Sequence, residues 1–331
     1  MTRVLVTGSE GSLMRWVIPR LLARGHSVLG VDRVPVRAGK RPYAVEVADL
    51  TDLDAARTVV GRVDAVIQAA AQIYGVGGFH AHPADILADD VTVHRNILTA
   101  AKEAGVGHVV YVSSSMVYER AETHPVAEAD AETAQAPATA YGLSKLVGER
   151  LSRAFHEQHG VAHTIWRPFN IVTPEEAGAG EIGVSHVFAD FITNIVSRRR
   201  DPLPIIGDGH QVRCFTWIGD VAEAIAAHLD DPAARGETIN LGNPEPITMR
   251  ELAAMIRRTA AEVGLLPPAE PGEPRVETVR DYPTDVRQRV PEIAKARRVL
   301  GWAPTVSTAA AIRRCLTARV PDGEAAPPRA G

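Results

Sequence analysis

Through the first half of the chain, short unbroken apolar runs alternate with longer stretches whose apolar residues recur every three or four positions. "RVLVT" reads as a strand, followed by a helix from Ser12 to about Arg24 and a second strand in "SVLGVD". "YAVEV" reads as a strand, "DLDAARTVVGR" as a helix and "DAVIQAA" as a strand; a longer helix around "DDVTVHRNILTAAKEAG" then leads into the strand "HVVYVSS". Continuous Val-rich strands separated by helices indicate a parallel sheet covered on both faces. The expected fold class is therefore α/β, a doubly wound parallel sheet, in which ligands sit beyond the carboxyl ends of the strands.

After about Asn170 the rhythm breaks, and Pro, Gly and charged residues become denser, as in "PLPIIGDG" and "PPAEPGEPRVETVRDYPTDVRQRV". A first lobe is expected over residues 1–170 and a smaller, irregular α/β lobe mainly over 171–318. The boundary is soft, because the stretch near 211–242, with "FTWIGDVAEAIAAHL", can return a strand and a helix to the first lobe. Residues 319–331 are rich in Pro, Gly and Ala and are expected to be disordered.

At 331 residues with 45% hydrophobic content, the chain can bury one large core or two modest ones. A net charge of −4 gives no reason to expect nucleic acid or an anionic membrane as partner. "MTRVLVTG" runs straight into a strand pattern, which leaves no room for a signal peptide, and no apolar run approaches the roughly 18 residues of a membrane span. Cys214 and Cys315 are the only cysteines. Two isolated thiols make neither a disulfide framework nor a metal site, so a reducing cytoplasm is expected.

"VLVTGSEGSLMRW" places Gly8 and Gly11 between a strand and a helix that opens with Ser12 and Leu13. Glycines there allow a sharp turn and bring backbone N–H groups close to a pyrophosphate at a helix N-terminus. Met14 stands where a third glycine would ease packing of helix on strand. Asp32 ends the next strand, where a carboxylate accepts hydrogen bonds from a ribose and repels a 2′-phosphate. NAD is thus favoured over NADP, with the adjacent Arg33 as the counter-argument. Asp49, beside Leu50, follows the third strand, where it either meets the adenine or simply begins a turn.

"TAYGLSKLVGER" sets Tyr141 and Lys145 one helical turn apart, on one face. "YVSSSMVY" ends a strand in hydroxyls, Ser113, Ser114 and Ser115, at the ligand edge of the sheet. This combination resembles the extended short-chain dehydrogenase/reductase family, within its nucleotide-sugar epimerase/dehydratase group, and so implies a Rossmann-type fold. A free tyrosine titrates near ~10, and an adjacent ammonium and a cationic nicotinamide both favour its phenolate. The resemblance implies Tyr141 as the base that takes a proton from a sugar hydroxyl, with Lys145 holding the nicotinamide ribose. It implies Ser114, or failing that Ser115, as the hydroxyl bonded to the reacting oxygen. Ala69, Ala70, Ala71, Ser113 and Phe169 join the cofactor set on the same grounds.

The resemblance extends to near Leu316. "WRPFN" resembles the family segment whose matching asparagine, Asn170, contacts the sugar nucleotide. "GDGHQVRCFTWIGDVAEAI" and "DVRQRVPEIAKARRVLGW" resemble its phosphate-binding and closing blocks, which implies Arg213 as a phosphate contact and Arg287 as a second phosphate or ribose contact; guanidinium forks suit phosphate oxygens. The loop Gly75–Gly78, including Gly77, with the "HPAD" after it, resembles the branch of GDP-mannose 3,5-epimerase and GDP-fucose synthase. In "SHVFADF", His186 is similar to an acid of the latter. That branch places a cysteine where this chain has Met116, at the sugar. The 4,6-dehydratases place an Asp-Glu pair at Ser115 and Met116. Asp90 stands where the family commonly has asparagine.

The expected protein is an NAD-dependent nucleotide-sugar epimerase working through a transient keto sugar, most simply at C4. Alternatives are a GDP-sugar 3,5-epimerase or epimerase-reductase with His186 as acid/base, a 4,6-dehydratase, or a non-catalytic NAD-sensing protein. The substrate expected is a nucleotide-diphosphate sugar, with no metal, and the helices bearing "VTVHRNILTAAKEAG" and "YGLSKLVGERLSRAFHEQ" resemble those that pair in family homodimers.

Overall fold

A computed structural model describes residues 1–35, 41–72, 79, 81–179, 182–268, 274–280 and 286–320. The expected tail lies almost wholly outside these described residues, as does the loop containing Gly77.

The apolar runs become β1 (Arg3–Thr7), β2 (Ser27–Asp32), β3 (Ala44–Val47), β4 (Ala65–Gln68), β5 (His108–Val112) and β6 (His163–Pro168). With β11 (Thr238–Leu241) they form one seven-stranded sheet in the order β11-β6-β5-β4-β1-β2-β3. Every neighbouring pair in it is parallel. The order reverses between β1 and β4, and a crevice opens there beyond the strand ends.

The helices read directly from the pattern. In α1 (Ser12–Ala23) Met14, Val17, Ile18 and Leu21 are buried, a 3–4 spacing that lays one stripe on the sheet. Truncating Ile18 to alanine should cost about 2–5 kcal/mol, because neighbours refill such a space only partly. α2 (Leu53–Val60) and α3 (Pro83–Ala104) cover the opposite face with α4 (Ala140–His159). α3 starts six residues before the stretch expected from "DDVTVHRN", because Pro83 opens it, its fixed φ suiting a first turn. It ends at left-handed Gly105. α4 is N-capped by Thr139, whose Oγ1 accepts from the Gly142 N–H. Its Gly148 faces β5 so closely that a Cβ would reach the Tyr111 hydroxyl at 2.2 Å.

Short elements build the second lobe: β7 (Ile171–Val172), α5 (Val187–Ile192), β8 (Leu203–Ile206), β9 (Val212–Arg213), β10 (Thr216–Trp217), β12 (Ile247–Thr248), α7 (Met249–Glu262), β13 (Val276–Arg280), β14 (Gln288–Arg289) and α9 (Thr308–Thr317). Their core gathers Phe188, Phe191, Phe215, Leu252, Ile256 and Ile312. The sequence stretch near 211–242 divides between the lobes. "TW" pairs with β7 in a separate ladder, whereas α6 (Ile218–Ala227) packs on α1. α8 (Ala294–Leu300) also returns to the first lobe, burying Ala296 in the same core. The strand that enters the large sheet is β11, beyond "FTWIGDVAEAIAAHL". Among the described residues no helix is long and apolar enough to cross a membrane.

Candidate active site

A cavity of about 690 Å³ runs from the β1–α1 turn, past the end of β5 and the start of α4, into the second lobe. At its first end Gly8 has φ +67°, which strains any side chain, and a Cβ there would lie 3.0 Å from the Ala70 backbone. The Gly11 N–H donates to the Gly8 carbonyl at 2.9 Å, and a Cβ on Gly11 would meet that same carbonyl at 3.0 Å. The result is a bare backbone cradle at a helix N-terminus, which suits a pyrophosphate. Ser12, Leu13, Ala69 and Ala71 line it, and Met14 is both buried in the core and part of the wall.

Asp32 sits beside this turn, its Oδ2 accepting from the Glu10 N–H at 3.0 Å. The two arginines near it are committed to carboxylates. Arg33 lies 3.8 Å from Asp89, and Arg41 is bonded to both oxygens of Glu10. The Arg33 contact is exposed and carries no hydrogen bond, whereas that of Arg41 is part-buried. Asp49 Oδ1 makes the expected turn, accepting from the Thr51 N–H and hydroxyl, which hold its carboxyl below the ordinary range. Leu50 is a core residue.

The residues expected to be catalytic come together in the cavity. Tyr141, Lys145, Ser113, Ser114, Ser115 and Met116 all line it. Tyr141 is stacked on Phe79 with centroids 4.7 Å apart. The Lys145 Nζ lies 5.5 Å from the Tyr141 ring, 3.5 Å from the Val112 carbonyl and 3.9 Å from Asp90 Oδ2. Asp90 is in turn held by the Gln72 N–H and the Ser144 hydroxyl. The Ser113 hydroxyl donates to Glu149, which chelates the fully buried Arg167. Ser113 therefore has no proton to offer a ligand. Ser114 Oγ accepts from the Met116 N–H, so its own proton is left for one.

The second lobe supplies the far wall. β9 and β14 run parallel with Arg213 and Arg289 in register, so two guanidiniums are presented side by side, and both line the cavity. Asn170, at φ 35°, gives its amide to the Cys214 carbonyl and its oxygen to Arg289 at 3.4 Å. His186 Nδ1 lies 2.7 Å from Glu176. Desolvation works against a charged ring, but the hydrogen bond and charge of Glu176 outweigh it and raise the histidine above its ordinary value. Burial pushes the Asp190 carboxyl up to about 6.

Two expected site residues fall elsewhere. Arg287 points to the surface, bonded to Asp208 at 3.1 Å, and the cavity arginine is Arg289 two positions on. Phe169 is wholly buried against Tyr118, with its N–H on Leu241 and its carbonyl on Thr216, so neither ring nor backbone is left for the cofactor. Gly77 lies outside the described residues.

Residues 4–242 match the family described as "NAD dependent epimerase/dehydratase family". The chain belongs to that family. NAD is its cofactor, and the glycine cradle, Asp32 and the Tyr141–Lys145 pair fit it. UDP-glucose 4-epimerase of Mycolicibacterium smegmatis is 29% identical over 94% of this chain and 96% of its own length. GDP-mannose 3,5-epimerase 1 of Oryza sativa subsp. indica is 29% identical over 92% and 78%. A solved Thermus thermophilus UDP-glucose 4-epimerase complex with NAD superposes with a TM-score of 0.78 at 26% identity, covering 96% of this chain and 99% of that one.

Sequence reasoning passed over Phe79, Glu119, Glu176, Asp190 and Arg289. Asp190 follows His186 by one helical turn, a spacing that was open to reading. Glu119, Glu176 and Arg289 sit in loops or a two-residue strand, where no periodicity marks them.

Proposed function

We propose that this family member is an NAD-dependent nucleotide-sugar epimerase that inverts one carbon, most simply C4, through a transient keto sugar. The observation that carries this is the meeting of Tyr141, Lys145 and Ser114 in one cavity with Met116, which has no proton to exchange, beside them. Tyr141 takes the proton of the sugar hydroxyl, and Ser114 donates to the reacting oxygen. When bound, NAD would supply the hydride acceptor and donor for the same carbon. Lys145, held by Asp90 and the Val112 carbonyl, fixes charge beside the phenol. Once the keto sugar has turned its other face, Tyr141 returns the proton and the hydroxyl reforms with inverted configuration. Arg213 and Arg289 hold the diphosphate, which leaves only the sugar free to turn. Pairing of α3 and α4 across a two-fold axis would give a homodimer, and two free buried thiols suit a reducing cytoplasm.

The test is a panel of UDP-, GDP- and dTDP-sugars followed by NMR in deuterated water. Inversion at C4 without deuterium at C3 or C5 is expected. Bound NAD with no turnover on any sugar would replace this reading with a non-catalytic one.

The His186–Glu176 pair favours a second reading, a GDP-sugar 3,5-epimerase or epimerase-reductase in which His186 moves the proton. Under it, deuterium enters C3 or C5, and His186→Asn abolishes that exchange while hydride transfer at C4 persists.

A further inference from the structure

Glu119 follows the 3₁₀ turn Ser115–Tyr118, and its N–H donates to the Met116 carbonyl at 3.2 Å. Its side chain enters the same cavity wall as Met116, Thr139 and Tyr141, in a residue only 8% exposed. One carboxylate oxygen is fixed from two directions, by the Thr139 N–H at 2.9 Å and the Thr139 hydroxyl at 3.0 Å. Thr139 caps the helix that carries Tyr141, two residues on. The carboxylate is therefore locked to the frame that positions the phenol and cannot swing clear of a bound sugar.

Two of the other charges around this cavity are paired, and Asp190, also in its wall, accepts from the Gly183 N–H. Lys145 faces Asp90, and His186 faces Glu176. Arg213 and Arg289 stand together on the second lobe. Glu119 makes no ion pair among the described residues, and its second oxygen makes no protein hydrogen bond. In the same cavity as the two arginines that suit a diphosphate, the wall beside Tyr141 thus presents a carboxylate acceptor. A sugar hydroxyl satisfies it; a sugar carboxylate is repelled by it across poorly solvated space.

We infer that Glu119 selects the charge of the sugar: the cavity takes neutral hexoses and rejects uronic acids, with the second Glu119 oxygen accepting a hydrogen bond from a sugar hydroxyl. This rests on the nucleotide-sugar reading above. Binding of matched pairs to the NAD-loaded enzyme tests it, by calorimetry with UDP-glucose against UDP-glucuronate and GDP-mannose against GDP-mannuronate. For whichever base binds, the neutral sugar should bind at least about tenfold more tightly. Glu119→Gln retains an acceptor for Thr139 and removes the charge. It should bring the uronate to within about threefold of the neutral sugar, whose own affinity falls with the loss of the carboxylate acceptor. Equal wild-type affinities within a pair overturn the inference without recourse to a variant, as does a gap that Glu119→Gln leaves unchanged. Failure of every sugar nucleotide in both series to bind overturns instead the nucleotide-sugar reading itself.

Discussion

The two ends of the cavity are built by different means. At the β1–α1 turn the contacts are backbone, shaped by Gly8 and Gly11, and the one acid, Asp32, is itself tied to a backbone N–H. In the second lobe the wall is made of long side chains, Arg213, Arg289, His186, Glu176 and Asp190, carried on elements of two to six residues or on loops. A backbone cradle is specified by what is missing, since only glycine leaves the space. A side-chain wall is specified by which of several charged residues the packing turns inward. The first kind tolerates changes in distant sequence, and the second can be retuned by single substitutions, which is where differences in sugar and base are expected to arise.

Between the two ends stands Tyr141, and the largest expected effect is there. Tyr141→Phe should keep the fold and retain NAD while losing about 10²–10⁴ in turnover, because only the proton acceptor is removed. Turnover within a few-fold of wild type would dismiss the role. Next come the paired guanidiniums. Arg289→Ala or Arg213→Ala should raise KM for a sugar nucleotide by roughly 10–100-fold, the worth of a charge-assisted phosphate contact, and leave bound NAD unaffected. Loss of NAD in either variant would erase the distinction between the two ends.

A smaller effect concerns Asp190, held up at about 6 by burial, where an unfolded aspartate titrates near ~4. The folded chain binds that proton more tightly than the unfolded chain, so stability is lost as pH rises from about 4 to about 6. Asp190→Asn keeps an acceptor for the Gly183 N–H and removes the loss. Its melting temperature should exceed that of the wild type by about 2–4 °C at pH 7 and match it at pH 4. An advantage of the same size at both pH values would rule out this account. Smallest is Arg287→Ala. Its ion pair with Asp208 is exposed, so stability should fall by less than about 1 kcal/mol and KM should stay within roughly twofold. A KM change as large as that of Arg289→Ala would put Arg287 back at the phosphate.

The sequence by itself determined what depends on near neighbours along the chain. Val-rich runs between amphipathic helices could bury both faces only as a parallel sheet. Gly8 and Gly11 marked a turn that no other residue fits, and a four-residue spacing placed Tyr141 and Lys145 on one face, because helix geometry fixes that relation whatever the fold. Asp90 stood out only against the family's usual asparagine, and the fold buried it with His94 on the stripe of α3 that holds Ile86, Ile97 and Ala101. What only the tertiary structure decided lay between segments far apart in sequence. It chose Arg289 over Arg287, because pairing of β14 with β9 aligned Arg289 with Arg213. It buried Phe169, because Tyr118 came to lie beside it. It sent β11 rather than "TW" back to the large sheet, and it locked Glu119 onto Thr139 from 20 residues away. Two-residue strands carry no periodicity, so the side chains that face inward in the second lobe were set by packing between elements and not by any pattern within them.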